Sequence, residues 1–373
     1  MPSAYHAVGN ALRHTLEQRV RAAHAPEQSE LAAHFQAAGR RIDYDRYAEV
    51  FTVSYLLANY WKVAHALHRA SPEPRASVVD LGGGSGAATW AALAWLASSE
   101  DAVAEPEVRL IDRSAAQLEL ARELSRAVAA ALPRLRPRIF MRQADVSDSL
   151  DAPEDSLILL SHVLTENQRR IGDLLTAAAV TSANGELLVV ERHDDRVWGR
   201  ISVAARGLDR SHEIEELEVE QNALMILPFA GGRTGRLRTG WMLLSRPKYP
   251  AVARIVARYF HAWRAKDPSL LADVFATDAQ YFFDPLASPL SGLSAIAEYW
   301  TQKVVPQNQL KISLHAVDLE AESAKISWTA RFVREGVETT VCGAMSLEVD
   351  SRIERVTALR ERYQTQRRPV IPT

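Results

Sequence analysis

Apolar residues recur along the chain in three successive rhythms. Through residues 1 to 70 they fall at helical spacing: Leu12, Leu16, Val20 and Ala23, then Leu31, Ala32, Phe35 and Ala38, then a Tyr- and Leu-rich run from 44 to 70. Ser71-Pro72-Glu73-Pro74 ends this region, so it reads as a helical cap. From Ser77 onward short apolar runs alternate with helical patterns. Strands are expected over 77 to 81, 108 to 112, 138 to 141, 155 to 162 and 186 to 191, and helices over 87 to 98, 114 to 132 and 166 to 180. Runs apolar on every position suit strands covered on both faces, which predicts a parallel α/β sheet. Residues 196 to 220 read as a charged helix, and 222 to 230 with 240 to 245 as an antiparallel pair closing that sheet.

The third rhythm starts after Arg246-Pro247-Lys248-Tyr249-Pro250, a linker. A helix over 251 to 265, a second around Leu270, Leu271 and Phe275 and a third after Gly292 precede alternating strands over 311 to 319, 325 to 334, 339 to 349 and 353 to 363. Three helices and a curled antiparallel sheet give an α+β cone. The chain thus divides into a cap (1 to 70), an α/β domain (71 to 246) and a cone (250 to 365). A length of 373 residues supports two cores.

Charge and cysteine narrow the classes. Lys+Arg 44 against Asp+Glu 46 gives no global field toward nucleic acid or an anionic membrane, although local arginine clusters stay open. The lone Cys342 supports neither an intrachain disulfide nor a multi-cysteine metal site, and a cytoplasmic location is expected. No signal-like or membrane-length apolar run is expected to insert in a bilayer.

The chemistry gathers at Asp80-Leu81-Gly82-Gly83-Gly84-Ser85-Gly86, between a buried strand and an apolar helix. Gly82, Gly84 and Gly86 clear side chains from the turn, so that a nucleotide-type ligand can approach backbone. Gly82, Gly84 and Ala87 also satisfy the dinucleotide pattern. Asp80 opposes that choice, since a strand-end carboxylate repels a pyrophosphate and suits a cationic amine. S-adenosylmethionine carries an ammonium and a sulfonium. Asp80-x-Gly82-x-Gly84-x-Gly86 resembles the first motif of class I S-adenosylmethionine-dependent methyltransferases, and the antiparallel hairpin after the fifth strand is what that class has.

The strand ends supply the remaining candidates. Asp112 is placed to accept from both ribose hydroxyls. In the resembling class the acidic residue past the third strand, here Asp145, bonds the adenine amino group. His162, Glu166 and Asn167 follow the fourth strand and His193 the fifth, where ligands meet open α/β sheets. His162, Glu166 and His193 are candidates to position or deprotonate an acceptor, titrating near 6.5 if imidazole is the base. His162 is also a cofactor contact in this reading; Tyr55, Asn167 and Glu191 are its substrate contacts.

Over residues 45 to 210, the strings Val78-Val79-Asp80-Leu81-Gly82, Ser161-His162-Val163-Leu164-Thr165-Glu166 and 186 to 192 resemble the methyltransferase-like family associated with assembly of the small mitochondrial ribosomal subunit. That family holds an iron-sulfur cluster through cysteines that are missing here, which implies a relative recruited to another substrate. Tyr259-Phe260-His261-Ala262-Trp263, Asp278-Ala279, Asp284-Pro285, Gly292 and Ala297-Glu298-Tyr299-Trp300 resemble the polyketide-cyclase-like branch of the nuclear-transport-factor-2-like superfamily. Asp284, His315, Trp328 and Arg331 are its candidate cavity residues, although a structural or dimerising role is favoured.

The expectation is an S-adenosylmethionine-dependent methyltransferase acting on a small molecule in bacterial specialised metabolism, without metal, as a homodimer through the cone. An RNA methyltransferase and a non-catalytic cofactor-binding assembly protein are the alternatives.

Overall fold

The computed structural model describes residues 1–20, 24–36, 42–101, 103–146, 152–153, 155–182, 184–192, 194–208, 212–220, 236–283 and 288–369. Three helices come first: α1 (Ser3–Glu17), α2 (His24–Gln36) and α3 (Ala48–Ala70). Ser71 ends α3 in the left-handed region with φ 45°, and Pro72 prevents its continuation.

The α/β unit follows as β1 (Ser77–Leu81), α4 (Ala87–Ser98), β2 (Glu107–Asp112), α5 (Ala115–Ala131), β3 (Arg138–Gln143), β4 (Ser156–Ser161), α6 (Ile171–Thr181), β5 (Glu186–Arg192), α7 (Asp195–Arg206), β6 (His212–Glu220) and β7 (Arg236–Leu244). The sheet order is β3-β2-β1-β4-β5-β7-β6; β3 to β5 are parallel and β7 runs against β5 and β6. Alternate residues of β1 serve opposite faces. Val78 packs with α1, α3, α4 and α5, and Val79 with α6 and α7. The strand expected over 222 to 230 lies outside the described residues, and a strand at 212 to 220 pairs with β7 where a charged helix is expected. Its acidic run reads as a solvated helix face, whereas an edge strand carries such charges to stay unpaired.

On the α6 side the row Leu187, Ile158, Val79 is buried, but it continues into Arg109 and then Phe140, 51 % exposed. Phe140 thus leaves that corner of the sheet exposed among the described residues.

The second unit comprises α8 (Pro250–Ala265), a 3-10 turn (Pro268–Asp273), β8 (Phe275–Phe282), β9 (Leu290–Ser291), α9 (Leu293–Lys303), β10 (Asn308–Leu319), β11 (Ser323–Arg334), β12 (Val337–Asp350) and β13 (Arg355–Pro369). Its order is β10-β11-β12-β13-β8-β9, with β8 parallel to β13. The expected second helix is only the 3-10 turn, and Phe275 begins a strand. Ile326, Trp328, Ala330, Phe332, Met345 and Leu347 fill the cone. The opposite set, Ser327, Thr329, Arg331, Thr340, Cys342, Ala344 and Ser346, is mostly polar. Among the described residues no helix is long and apolar enough to cross a membrane.

Candidate functional site

The strand order reverses between β1 and β4, where a doubly wound sheet opens a crevice beyond its carboxyl ends. The cleft found there is lined by Gly82, Gly83, Gly84, Ser85, Asp112, Arg113, Gln117, Asp145, Ser161, His162, Val163, Glu166, Asn167 and Leu174, together with Tyr44, Phe51, Leu56 and Asn59 from the cap. Of the expected residues, Gly82, Gly84, Asp112, Asp145, His162, Glu166 and Asn167 therefore meet in one place.

The glycine loop is held by its own amides. Gly82 and Gly83 N–H donate to Ile111 O at 2.7 and 3.2 Å, Gly84 N–H to Asp112 Oδ2 at 2.9 Å and Gly86 N–H to Gly83 O at 2.8 Å. Asp112 Oδ1 accepts from Ser114 N–H at 2.8 Å, so this carboxylate ties the loop to the start of α5. Burial raises its pKa. Gly84 has φ +54° at the wall, and Gly86 has φ +95° with a Cβ position 2.6 Å from the Trp90 ring. Gly86 thus faces the core and starts α4; it is not on the cleft wall.

Asp80 is a correction of the same kind. It is wholly buried beneath the loop, with Oδ2 accepting from Thr89 N–H at 2.9 Å and Thr89 Oγ1 at 2.7 Å. A Cβ at Gly83 would lie 2.5 Å from Oδ2, so the loop backbone stands between this carboxylate and the cleft. Burial pushes its pKa up to about 6.

Glu191 is also removed from substrate. Completely buried, it accepts from Leu164 N–H and Thr165 Oγ1, both at 2.6 Å, and fixes the turn after β4; burial pushes it up to about 7. Tyr55 is not on the wall: it packs with Phe51 against Leu31, Tyr47 and Val50. His193 lies outside the described residues.

His162 sits at the tip of β4 with φ +60°, held by its N–H on Val190 O at 2.9 Å. The side chain is 23 % exposed, yet Nε2 is shielded and has no hydrogen-bond partner among the described residues. Burial, with Lys62 and Arg192 nearby, pushes its pKa down to about 3 rather than near 6.5. The ring is neutral at ordinary pH and is a weak base. Lys62, 4 % exposed, donates to Asn59 Oδ1 at 3.2 Å, and burial lowers it to about 8.

A strap from the cap crosses the cleft mouth. The Tyr44 hydroxyl donates to Glu166, the Arg113 guanidinium lies 5.5 Å from the Tyr44 ring centroid, and Arg113 is 3.9 Å from Glu166. Next to it, Asp45 Oδ1 accepts from Ser114 Oγ at 2.7 Å and Ala116 N–H at 3.1 Å. Sequence reasoning singled out the aromatic run but not Tyr44 as the wall, and it missed Arg113, Asn59 and Gln117. Gln117 donates to Ala48 O at 3.2 Å and accepts from Thr52 Oγ1 at 3.3 Å, anchoring α3 on α5.

The cone's expected cavity set does not assemble. Asp284 lies outside the described residues, Trp328 is in the core, Arg331 is 63 % exposed and His315 bonds Asp173 of α6. A different polar group is buried there: Glu361 accepts from Tyr259 OH at 3.1 Å and Tyr281 OH at 2.8 Å, and burial pushes it up to about 7.

Residues 45–215 match the family described as mitochondrial small ribosomal subunit Rsm22, and residues 256–356 match the SnoaL-like domain. The C-terminal unit is a SnoaL-like domain. No curated protein matches the chain. Similar solved structures include a Catenulispora acidiphila protein with a ketosteroid isomerase-like fold in complex with trimethylamine, 18 % identical over 30 % of this chain and 85 % of that one, TM-score 0.27. An LEH-like epoxide hydrolase from Mycobacterium tuberculosis is 15 % identical (32 % and 86 % covered, TM-score 0.28). A SnoaL-like polyketide cyclase from Shewanella denitrificans is 11 % identical (31 % and 91 % covered, TM-score 0.29).

Proposed function

We propose that the chain transfers a methyl group from S-adenosylmethionine to a small-molecule acceptor in the cleft between β1 and β4. The observation that carries this reading is the combination of a glycine loop whose amides at 82, 83, 84 and 86 are all donated inward with a wall bearing Asp112, Asp145 and Glu166. A pyrophosphate would find those amides occupied and three carboxylates facing it, whereas a sulfonium nucleoside with a free ammonium suits an acidic wall. The strand order, with β7 antiparallel beside β5, supports a class I methyltransferase sheet.

In this reading Gly82 and Gly84 give the backbone wall, Asp112 keeps lone pairs for ribose hydroxyls beyond its two amide bonds, and Asp145 faces the adenine. The bound donor supplies an electrophilic methyl carbon. The protein's task is then alignment and exclusion of water. Neutral His162 lines the acceptor side of the cleft without taking up a proton, and helps to shape it.

A second reading, methyl transfer to RNA, is favoured by one surface. Arg138 and Arg142 are exposed on the same strand as half-exposed Phe140, beside Arg109, and Arg134 and Arg136 are exposed just before it; Glu107 pairs with Arg109 and Arg138, leaving the arginines in excess around an aromatic ring. It also accords with the ribosomal family that residues 45–215 match. Incubating the protein with methyl-labelled S-adenosylmethionine and separate small-molecule and RNA fractions of a bacterial extract decides between them. Label in the small molecules sustains the first reading, and label in RNA alone replaces it. Cofactor binding with label in neither leaves a non-catalytic binding protein.

A further inference from the structure

The helix α6 belongs to both units. It is buried almost all round, as a helix is when covered on two sides. Ile171, Leu174, Leu175 and Ala178 pack on the parallel sheet, and Leu174 also lines the cleft. Val180, one turn and a half further on, enters the cone's core beside Val252 and Val256 of α8 and Val317 of β10. The turn carrying His162, Glu166 and Asn167 runs through the 3-10 turn Gln168–Arg170 directly into α6.

A second grip lies near the N-terminal end of the helix. In β10 the register against β11 shifts between Leu314 and Ala316, leaving His315 as the extra residue. Such a bulge turns a side chain away from its regular face. His315 Nδ1 is 2.9 Å from Asp173 Oδ1 and Nε2 is 2.8 Å from Thr329 Oγ1, so one ring joins α6 to two strands of the cone.

We infer that the SnoaL-like unit is a brace for the acceptor side of the cleft: Asp173 and His315 are positioning residues that fix α6, and through it Leu174 and the 162–167 turn. Neither side chain lines the cleft, so neither is a catalytic residue. The inference deepens the reading of the cleft, but its geometry holds whatever ligand the cleft takes.

Hydrogen–deuterium exchange on the ligand-free full chain tests it, comparing His315→Ala, His315→Gln, Asp173→Ala and Val180→Ala with wild type. The alanine variants at 315 and 173 are expected to speed exchange of the amides from 163 to 175 about fivefold, with the glycine loop at 82 to 86 unchanged and the thermal midpoint nearly so, because an exposed pair adds little global stability. His315→Gln keeps a donor for Asp173 and is expected to restore part of the protection, a rescue that a general packing defect would not show. Val180→Ala is expected to loosen the same segment from its other end. Unchanged protection at 163 to 175, or faster exchange spread evenly over the chain, overturns the brace. Failure of S-adenosylhomocysteine to bind the wild type would overturn the methyltransferase reading alone, since exchange is read without ligand.

Discussion

The crevice of the parallel sheet and the interior of the cone are both concave, yet they are filled by different means. Beyond β1, β2 and β4 the sheet side of the wall is glycine-loop backbone with Asp112, Asp145 and Glu166, because the switch in strand order opens a crevice there, and Tyr44, Phe51 and Leu56 of the cap face it. In the cone Tyr259, Trp263, Trp300 and Trp328 occupy the interior, with ring centroids 4.9 to 6.1 Å apart along the chain of contacts. One concavity is open by topology; the other is open only as far as its side chains are small. Buried carboxylates follow the same division. Asp80 ties the start of α4 to β1 and Glu191 ties down the turn after β4, whereas Glu361 is enclosed with two phenols.

The largest effect is expected behind the backbone wall, where the glycine loop passes into α4 against the core. Gly86→Val must place a branched side chain at φ +95° with its Cβ 2.6 Å from Trp90. Left-handed backbone and overpacking together are expected to cost about 3 kcal/mol or more, read as a fall in the urea midpoint. Near-wild-type stability would show the loop to be far more pliable than its hydrogen bonds imply.

The next effect comes from the enclosed carboxylate. Burial raises Glu361 from 4.5 to about 7, so the folded state keeps a proton that the unfolded chain has lost. Its contribution is present below about pH 4.5 and is lost as pH rises through about 7, a swing of about 3 kcal/mol. Glu361→Gln keeps hydrogen-bonding capacity for both phenols without the charge, so its unfolding free energy is expected to fall less than wild type's between pH 5 and pH 8. Parallel pH profiles for the two proteins would place the charge in contact with solvent.

A smaller effect is expected at the strap. Tyr44→Phe removes the hydroxyl from Glu166 but keeps the ring under Arg113. Losing one hydrogen bond of about 1 kcal/mol is expected to speed release of S-adenosylhomocysteine about fivefold in stopped-flow, with little change in stability. An unchanged rate would mean that the strap does not bar the exit.

Elements with strong periodicity were legible in the sequence. Strands β1, β4 and β5 are buried on both faces, which the apolar runs Val78-Val79, 157 to 160 and 187 to 190 signal, and Gly-x-Gly-x-Gly with Asp112 marks the cleft. What stayed hidden depends on which way side chains turn. Asp80 and Glu191 are strand-end carboxylates like Asp112, but hydrogen bonds from Thr89 in the first turn of α4 and from the turn after β4 draw them inward. Tyr55 and Tyr44 lie in one aromatic run, and only docking of the 43–47 segment on Ser114 puts Tyr44 at the mouth. The phenol pair on Glu361 joins residues 102 and 80 positions apart, a spacing no local pattern reveals. Edge strand β6, acidic for its own protection, imitates a helix.

The central claim is that the backbone-walled cleft holds S-adenosylmethionine with Asp112 as a ligand-facing anchor. Titration calorimetry of the full chain with S-adenosylmethionine, S-adenosylhomocysteine and a nicotinamide dinucleotide, beside Asp112→Asn, tests it most directly. One site is expected for each S-adenosyl compound, none for the dinucleotide, and about tenfold weaker binding in Asp112→Asn, since that substitution gives up charge-assisted hydrogen bonds. No heat with either S-adenosyl compound, preference for the dinucleotide, or equal affinity in the variant would contradict it.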